Sequence, residues 1–218
     1  MKRSARSTSL VRPKVVPTFD VEARAIASGE YPVAGVDEAG RGPWAGPVVA
    51  AAVILDPESL PGGIDDSKAL TAERRDELFD AIIASALGVG VGIASVDQID
   101  RMNILRATFW AMAQAVGTLP LRPRLALVDG NRLPELPCAA RAIVGGDARS
   151  LSIGAASIIA KVTRDRIMIE LARSHPGYGF ERHKGYGTAE HKSVLAELGV
   201  CAHHRRSFQP VKDALGKR

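Results

Sequence analysis

The chain has little cysteine. Only Cys138 and Cys201 occur in 218 residues, and they form no metal-type pair and no disulfide framework. A reducing cytoplasm fits that usage. Long apolar runs are also missing, since none approaches the ~18 residues that span a bilayer. The opening "MKRSARSTSLVRPK" lacks the apolar stretch of a secretory signal. It is basic, Ser-rich and free of acid, which would suit a mitochondrial transit peptide. Nothing in it forms an amphipathic helix, so a flexible basic tail over residues 1–30 is the expectation. No internal repeat is visible. His175, His183, His191, His203 and His204 make no compact zinc set with cysteine, and solvated or phosphate-facing roles suit them better.

What is present is a core. The composition is 46% hydrophobic, enough for one sizeable domain. The net charge is +5, unevenly spread. Residues 1–19 hold Lys2, Arg3, Arg6, Arg12 and Lys14 and no acid, and residues 201–218 carry +4, which leaves −4 over 20–200. Basic ends around an acidic middle suit a polyanion gripped at the periphery, although charge alone favours plain solvated termini.

The periodicities predict a mixed α/β sheet covered by helices. "TFDVEARAIA" reads as a short helix. Val33–Val36 and "PVVAAAVIL" (47–55) read as strands, paired antiparallel through a short turn. "TAERRDELFDAIIASAL" reads as a helix capped by Thr71, with Leu78, Phe79, Ile82 and Ile83 on its apolar face. "VGVGIASV" is a third strand whose glycines permit close packing. "VDQIDRMNILRATFWAMAQAV" reads as one long helix, with Leu105, Phe109, Met112 and Val116 on one side. "RLALVDG" and "ARAIVGGD" complete five strands. A helix beginning near Ser150 or Ser152 follows, its Ala155, Ala156 and Ala160 small enough for another backbone to approach. "HPGYGFERHKGYGT" reads as a loop, and a short helix from Ala189 and a basic end close the chain.

Three strands end in the same way: an apolar run, then Asp, then Gly or another small residue, in "VAGVDEAG", "LALVDG" and "AIVGGDA". If these strands share a sheet, Asp37, Asp129 and Asp147 converge at one edge, with Glu38 beside Asp37. Clustered carboxylates repel unless cations neutralise them, and hard oxygen ligands suit magnesium or manganese. Adjacent strand residues face opposite ways, so Asp37 and Glu38 cannot both point inward from a regular strand. Asp37 is the expected metal-bridging ligand. Two divalent ions about 3.5–4 Å apart activate water and stabilise the leaving oxygen in phosphodiester cleavage. In the loop that follows, "AGRGPWAG", Gly40 and Gly42 permit backbone approach to a ligand and Arg41 adds a donor and a charge.

The segments "VAGVDEAGRGPWAGPVVAAAVIL", "DDSKALT", "ALVDGN", "GGDARSLSIGAASIIAKVTRDR" and "HKGYGT" together resemble the bacterial ribonuclease HII family, in the family's order and over roughly 33–188. The resemblance implies a ribonuclease H-like fold, with a catalytic domain over 31–174 and a C-terminal loop and helical substrate-binding segment over 175–218. It implies metal-dependent cleavage of RNA in RNA–DNA hybrids and 5′ of ribonucleotides embedded in DNA, leaving 3′-hydroxyl and 5′-phosphate ends. This is the chemistry of ribonucleotide excision repair. Carried over by motif, Asp37, Glu38, Asp129 and Asp147 are the catalytic, metal-binding acids, served by two manganese or magnesium ions. Gly40, Arg41 and Gly42 resemble the loop that reads the ribose 2′-hydroxyl, and Tyr186 the tyrosine at the ribonucleotide–deoxyribonucleotide junction. Ser67 and Lys68 match a "DSK" motif expected near the phosphate backbone; a capped turn before the helix at 72 is the alternative. Lys184 falls with the substrate-binding residues. Asp165, between Arg164 and Arg166, is expected to form a structural salt bridge. Trp44 stands where smaller apolar residues are common.

The resemblance implies a cytoplasmic monomer without a membrane partner and leaves open its recruitment to replication or repair machinery. A non-catalytic nucleic-acid-binding module is the rival from another class, but it gains nothing from carboxylates where phosphates approach. The related ribonuclease HIII carries a larger N-terminal domain than about thirty residues supply. A resolvase would share the acids but not the "GRG" and "KGY" segments.

Overall fold

The computed structural model describes residues 16–65, 67 and 70–216. Helix α1 (Asp20–Ala27) precedes β1 (Val33–Ala39) and β2 (Val48–Ile54). Then come α2 (Ala72–Ser85), β3 (Gly88–Ala94), α3 (Val96–Met102) and α4 (Ile104–Gly117). Strands β4 (Leu125–Asp129) and β5 (Ala139–Ile143), a 3-10 turn (Gly146–Ala148) and α5 (Leu151–Ser174) complete the sheet region. Helices α6 (Phe180–His183), α7 (Ala189–Leu198) and α8 (Gln209–Leu215) close the chain. No helix among the described residues is long and apolar enough to cross a membrane.

The five strands form one mixed sheet in the order β3-β2-β1-β4-β5. The β1–β2 and β2–β3 pairs are antiparallel, and β1–β4 and β4–β5 are parallel. Strand β2 is buried throughout, as its unbroken apolar run requires, because helices cover both faces. On one face α4 packs Ala111, Met112 and Ala115 against Ala50, Ala52 and Val36. It approaches closely because β3 has no side chains at Gly90 and Gly92: a Cβ there would lie 2.1 Å from Ala115 O and 2.0 Å from Ala111 O. On the other face α5 lays Ala155, Ala156 and Ala160 against Ala51 and Val53, with α2 alongside through Leu78 and Ile82.

Several expectations need correction. The long helix over 96–116 is two helices. Asn103 takes φ 68° between them, and its Oδ1 accepts from Leu105 N (3.0 Å) and Arg106 N (3.1 Å), ending α3 and starting α4. Ile83 is 49% exposed and leaves the apolar face of α2. The expected tail over 1–30 contains α1, whose Ala25 is buried with Val33, Leu125 and Ile153. Buried Glu22 accepts from Ser150 Oγ, Ser152 N and Ser152 Oγ at the start of α5. The loop over 175–188 includes the single turn α6, and the basic end includes α8.

Candidate active site

The acids meet because of sheet register. Val36 lies opposite Val128 on parallel β1 and β4, so Asp37 and Asp129 are the next residues along neighbouring strands. Strand β1 continues through Glu38 and Ala39, paired with Ala50 and Val49 of β2. Asp37 and Glu38 therefore project to opposite faces. Both nevertheless border one cleft of about 510 Å³, together with Asp129, Asp147 and the loop at 40–42. Glu38 and Asp129 also touch a smaller cavity of about 180 Å³ beside α4. Asp147 sits in the 3-10 turn, beyond the end of β5, rather than at a strand end.

Backbone and side-chain donors hold the carboxylates. Asp37 Oδ1 accepts from Glu38 N (2.7 Å), Asp129 Oδ1 from Gly146 N (2.6 Å) and Asp147 Oδ1 from Ala148 N (3.0 Å). The Arg41 guanidinium reaches Glu38 Oε1 at 3.3 Å, so in the protein alone it faces the acid cluster. Burial, then Glu38 and Asp129, raise the Asp37 pKa well above the ordinary 3.8, while hydrogen bonds from Ser157 and the Glu38 backbone oppose the rise. Among the described residues, no three His, Cys, Asp or Glu side chains are gathered tightly enough to hold a metal ion as they stand. The donor set still fits a hard divalent cation: four carboxylates border one cavity, and Asp37 is destabilised by the negative charge that a cation would neutralise.

Across the cleft stands Tyr186, 44% exposed, with the Arg164 guanidinium 5.8 Å from its ring centre. Its loop is held through two imidazoles. Cys201 N donates to His204 Nδ1 (3.1 Å), which leaves the Nε2 proton of neutral His204 to donate to His191 Nε2 (3.0 Å). His191 Nδ1–H then donates to the Tyr186 carbonyl (2.9 Å). Burial, then neighbouring His191, pushes the His204 pKa down to about 4, which keeps this chain neutral. Histidines expected to be solvated or phosphate-facing are thus buried parts of the loop's support: His183, His191 and His204 are each at most 8% exposed.

Ser67 borders the cleft, and its Oγ lies 3.0 Å from Ser157 Oγ. Lys68 lies outside the described residues. Lys184 does not border this cavity, and its amine donates to the Glu181 carbonyl. Asp165 does form a salt bridge, but with Lys161 (2.8 Å) rather than with the arginines beside it. Sequence reasoning missed Ser157, Lys161 and Arg75, which all border the cleft. Ser157 and Lys161 lie four residues apart in α5 and so share one helix face, a spacing legible in "SIIAK". Arg75 donates to the carbonyls of Ser67 (2.9 Å) and Leu70 (2.6 Å), bracing the serine segment.

A mixed five-stranded sheet between helices, with acids clustered where two parallel strands end, defines a ribonuclease H-like nuclease. The solved ribonuclease H2 of Pyrococcus horikoshii has this architecture, with a TM-score of 0.73 and 29% identity over 85% of this chain and 97% of that one. The family model described as Ribonuclease HII matches residues 34–211. The Ribonuclease HII of Azorhizobium caulinodans is 58% identical over 97% of this chain and 82% of the relative. That of Burkholderia thailandensis is 60% identical over 86% and 87%. The chain belongs to the ribonuclease HII family, and it is a metal-dependent endoribonuclease acting on RNA–DNA hybrids.

Proposed function

We propose that the cleft also cuts DNA 5′ of a single embedded ribonucleotide, by hydrolysis that leaves 3′-hydroxyl and 5′-phosphate ends. The observation behind this reading is a single cavity bordered by Asp37, Glu38, Asp129 and Asp147, by the loop at 40–42 and by Tyr186. In this reading the four acids would hold two divalent ions, magnesium or manganese. When bound, the ions supply charge neutralisation and an activated water for phosphodiester hydrolysis.

The chain's own residues position the substrate. The metals serve any phosphodiester, so selectivity must come from the 2′-hydroxyl, the chemical difference at a ribonucleotide. Gly40, Arg41 and Gly42 sense that hydroxyl, and the Tyr186 ring packs on the next sugar, where a second hydroxyl would crowd it. Ser67 and Lys161 border the same cavity, and in this reading they meet the phosphate backbone. Arg41 is exposed enough beside Glu38 that its guanidinium would be within reach of the nucleic acid. The enzyme is further proposed to work as a monomer, in the cytoplasm with its nucleic-acid substrates.

Tyr186→Ala tests the recognition half of this reading. Cleavage of a duplex with one embedded ribonucleotide should fall more than cleavage of a long hybrid, and Tyr186→Phe should keep most of the preference. Equal losses on both substrates, in a variant that melts like the parent, would reduce Tyr186 to a loop anchor.

A further inference from the structure

Arg205 is fully buried, yet no carboxylate among the described residues pairs with it. Its guanidinium is spent on backbone carbonyls. Nη2 donates to Gly40 O (2.6 Å) and Pro47 O (3.2 Å), Nη1 to Arg41 O (2.9 Å) and Nε to Gly46 O (2.9 Å). Burying a guanidinium hydrogen-bonded only to carbonyls is costly even with the Phe208 ring 5.2 Å away and the more distant attraction of Asp100, and a hydrophobic side chain could fill the same space without that cost. What a hydrophobic side chain or an ammonium could not do is hold four carbonyls at once from three fixed nitrogens, which needs the rigid fork of arginine.

The two grips on Gly40 and Arg41 fix two peptide planes. In a trans peptide the carbonyl of one residue and the N–H of the next point in opposite directions. The only cis bond described is Tyr31–Pro32, so both planes here are trans. With the carbonyls of Gly40 and Arg41 turned down onto buried Arg205, the N–H groups of Arg41 and Gly42 turn the other way. That is the exposed side, where Arg41 and Gly42 border the cleft. Neither N–H donates a hydrogen bond within the described residues. Two adjacent outward N–H groups over a buried positive charge make a concave donor pair for an oxygen of a ligand. The glycine at 40 completes the device, because its φ of 97° turns the chain into the first of the two planes.

We infer that Arg205 is a positioning residue for ribonucleotide recognition, holding the Arg41 and Gly42 N–H groups toward the 2′-hydroxyl oxygen from beneath the loop. The inference rests on the reading that this loop senses the 2′-hydroxyl. Arg205 touches no substrate itself. It also joins the C-terminal segment to the loop, since Arg205 N donates to Trp44 O (2.8 Å) and Gly46 N to His203 O (2.9 Å). A purely structural staple is the competing role.

Binding in calcium separates the two roles. Affinities are measured for a DNA duplex with one ribonucleotide and for the same duplex in all-deoxy form. Two hydrogen bonds to one hydroxyl make the wild-type preference about tenfold or more. Arg205→Lys, which keeps a cation without the fork, should reduce that preference to about twofold or less while all-deoxy binding stays near the wild-type value. A wild-type preference near one would overturn the hydroxyl reading, and this inference with it. A normal wild-type preference that Arg205→Lys retains, or a variant that loses both duplexes equally, would overturn the inference alone. If Arg205→Lys fails to fold, amide exchange in the wild-type protein decides. The Arg41 and Gly42 amides should exchange fast in the free protein and become protected by the ribonucleotide duplex but not by the all-deoxy one. The Arg205 guanidinium protons should be protected throughout. Protection of the two amides in the free protein, or a freely exchanging Arg205, would overturn it.

Discussion

Asp37 sits where folding disfavours a charged carboxylate. It is 6% exposed, and Glu38 and Asp129 add repulsion to the cost of burial. Its folded pKa lies above its unfolded value, so between the two the folded chain holds more protons. The unfolding free energy then falls as pH rises through that window and stays reduced above it. Without divalent ions at neutral pH, Asp37→Asn should therefore stabilise the protein, by roughly 1 kcal/mol or about 2–4 °C in Tm for a chain of this size. The gain should shrink as pH falls toward 4, and cleavage in magnesium should be lost. Thermal melts in chelator at several pH values, with a cleavage assay alongside, check both halves. A variant that melts below the parent at pH 7, or that cuts normally, would remove Asp37 from this role.

At the scale of elements, the loop at 40–42 shows how unlike two neighbouring glycines are. A Cβ at Gly40 would lie 2.0 Å from Arg164 Nε and 2.8 Å from Pro47 O, at a φ of 97°. A Cβ at Gly42 would meet only the edge of the Tyr186 ring, at 3.9 Å. Gly40→Ala should cost roughly 2 kcal/mol or more through strain and overlap. Gly42→Ala should fold with a nearly unchanged Tm and, if the sugar packs on this loop as proposed, still lose at least about tenfold in cleavage, because its methyl would displace the sugar and with it the reacting phosphate. Full activity in a stable Gly42→Ala protein would show that no sugar packs there. Much of this level was legible. The run "PVVAAAVIL" could only be a strand buried on both faces, and the cap at Thr71 is present, with Arg74 N donating to its Oγ1 (3.2 Å). The break at Asn103 was harder to read, because an apolar period runs through it and only the tolerance of asparagine for positive φ marks the stop. The imidazole chain from Cys201 to Tyr186 could not be read at all, since His191 and His204 face each other only once α7 and the segment after it have folded back together.

At the scale of the whole molecule, charge is divided between ends and centre. The acids of the cleft repel a polyanion until cations arrive, so binding must be helped from elsewhere. All five cations of residues 1–19 lie before Val15, whereas Pro17, Thr18 and Phe19 belong to the fold: Thr18 bridges Ser150 and Phe19 packs on the core beside α5. A truncation meant to remove charge alone should therefore take residues 1–15, not 1–19. That deletion should leave the catalytic rate and Tm nearly unchanged and flatten the salt dependence of duplex binding, by about 0.9 in log–log slope for each phosphate that the basic segment had neutralised. An identical slope in the shortened protein would show that the segment neutralises none. Asp37, Asp129 and Asp147 were visible as a set because each stands at the end of an apolar run with small residues close by, and Glu38 was visible as the neighbour of Asp37. Lys161 and Arg75 carry no such signature, and they join the site only through the packing of α5 and α2 against one side of the sheet.

The most direct measurement is to map the products from a DNA duplex containing one ribonucleotide, labelled at each end in turn, in magnesium and in manganese. A cleft that joins the four acids to a ribose-reading loop should cut once, on the 5′ side of the ribonucleotide, leaving a 3′-hydroxyl on the deoxyribonucleotide and a 5′-phosphate on the ribonucleotide. Calcium, larger and looser in its coordination, should support binding but little cutting. A cut on the 3′ side, a 2′,3′-cyclic phosphate end, or an intact duplex that the same preparation accompanies with full cleavage of a long hybrid would show that the cleft does not work in this way.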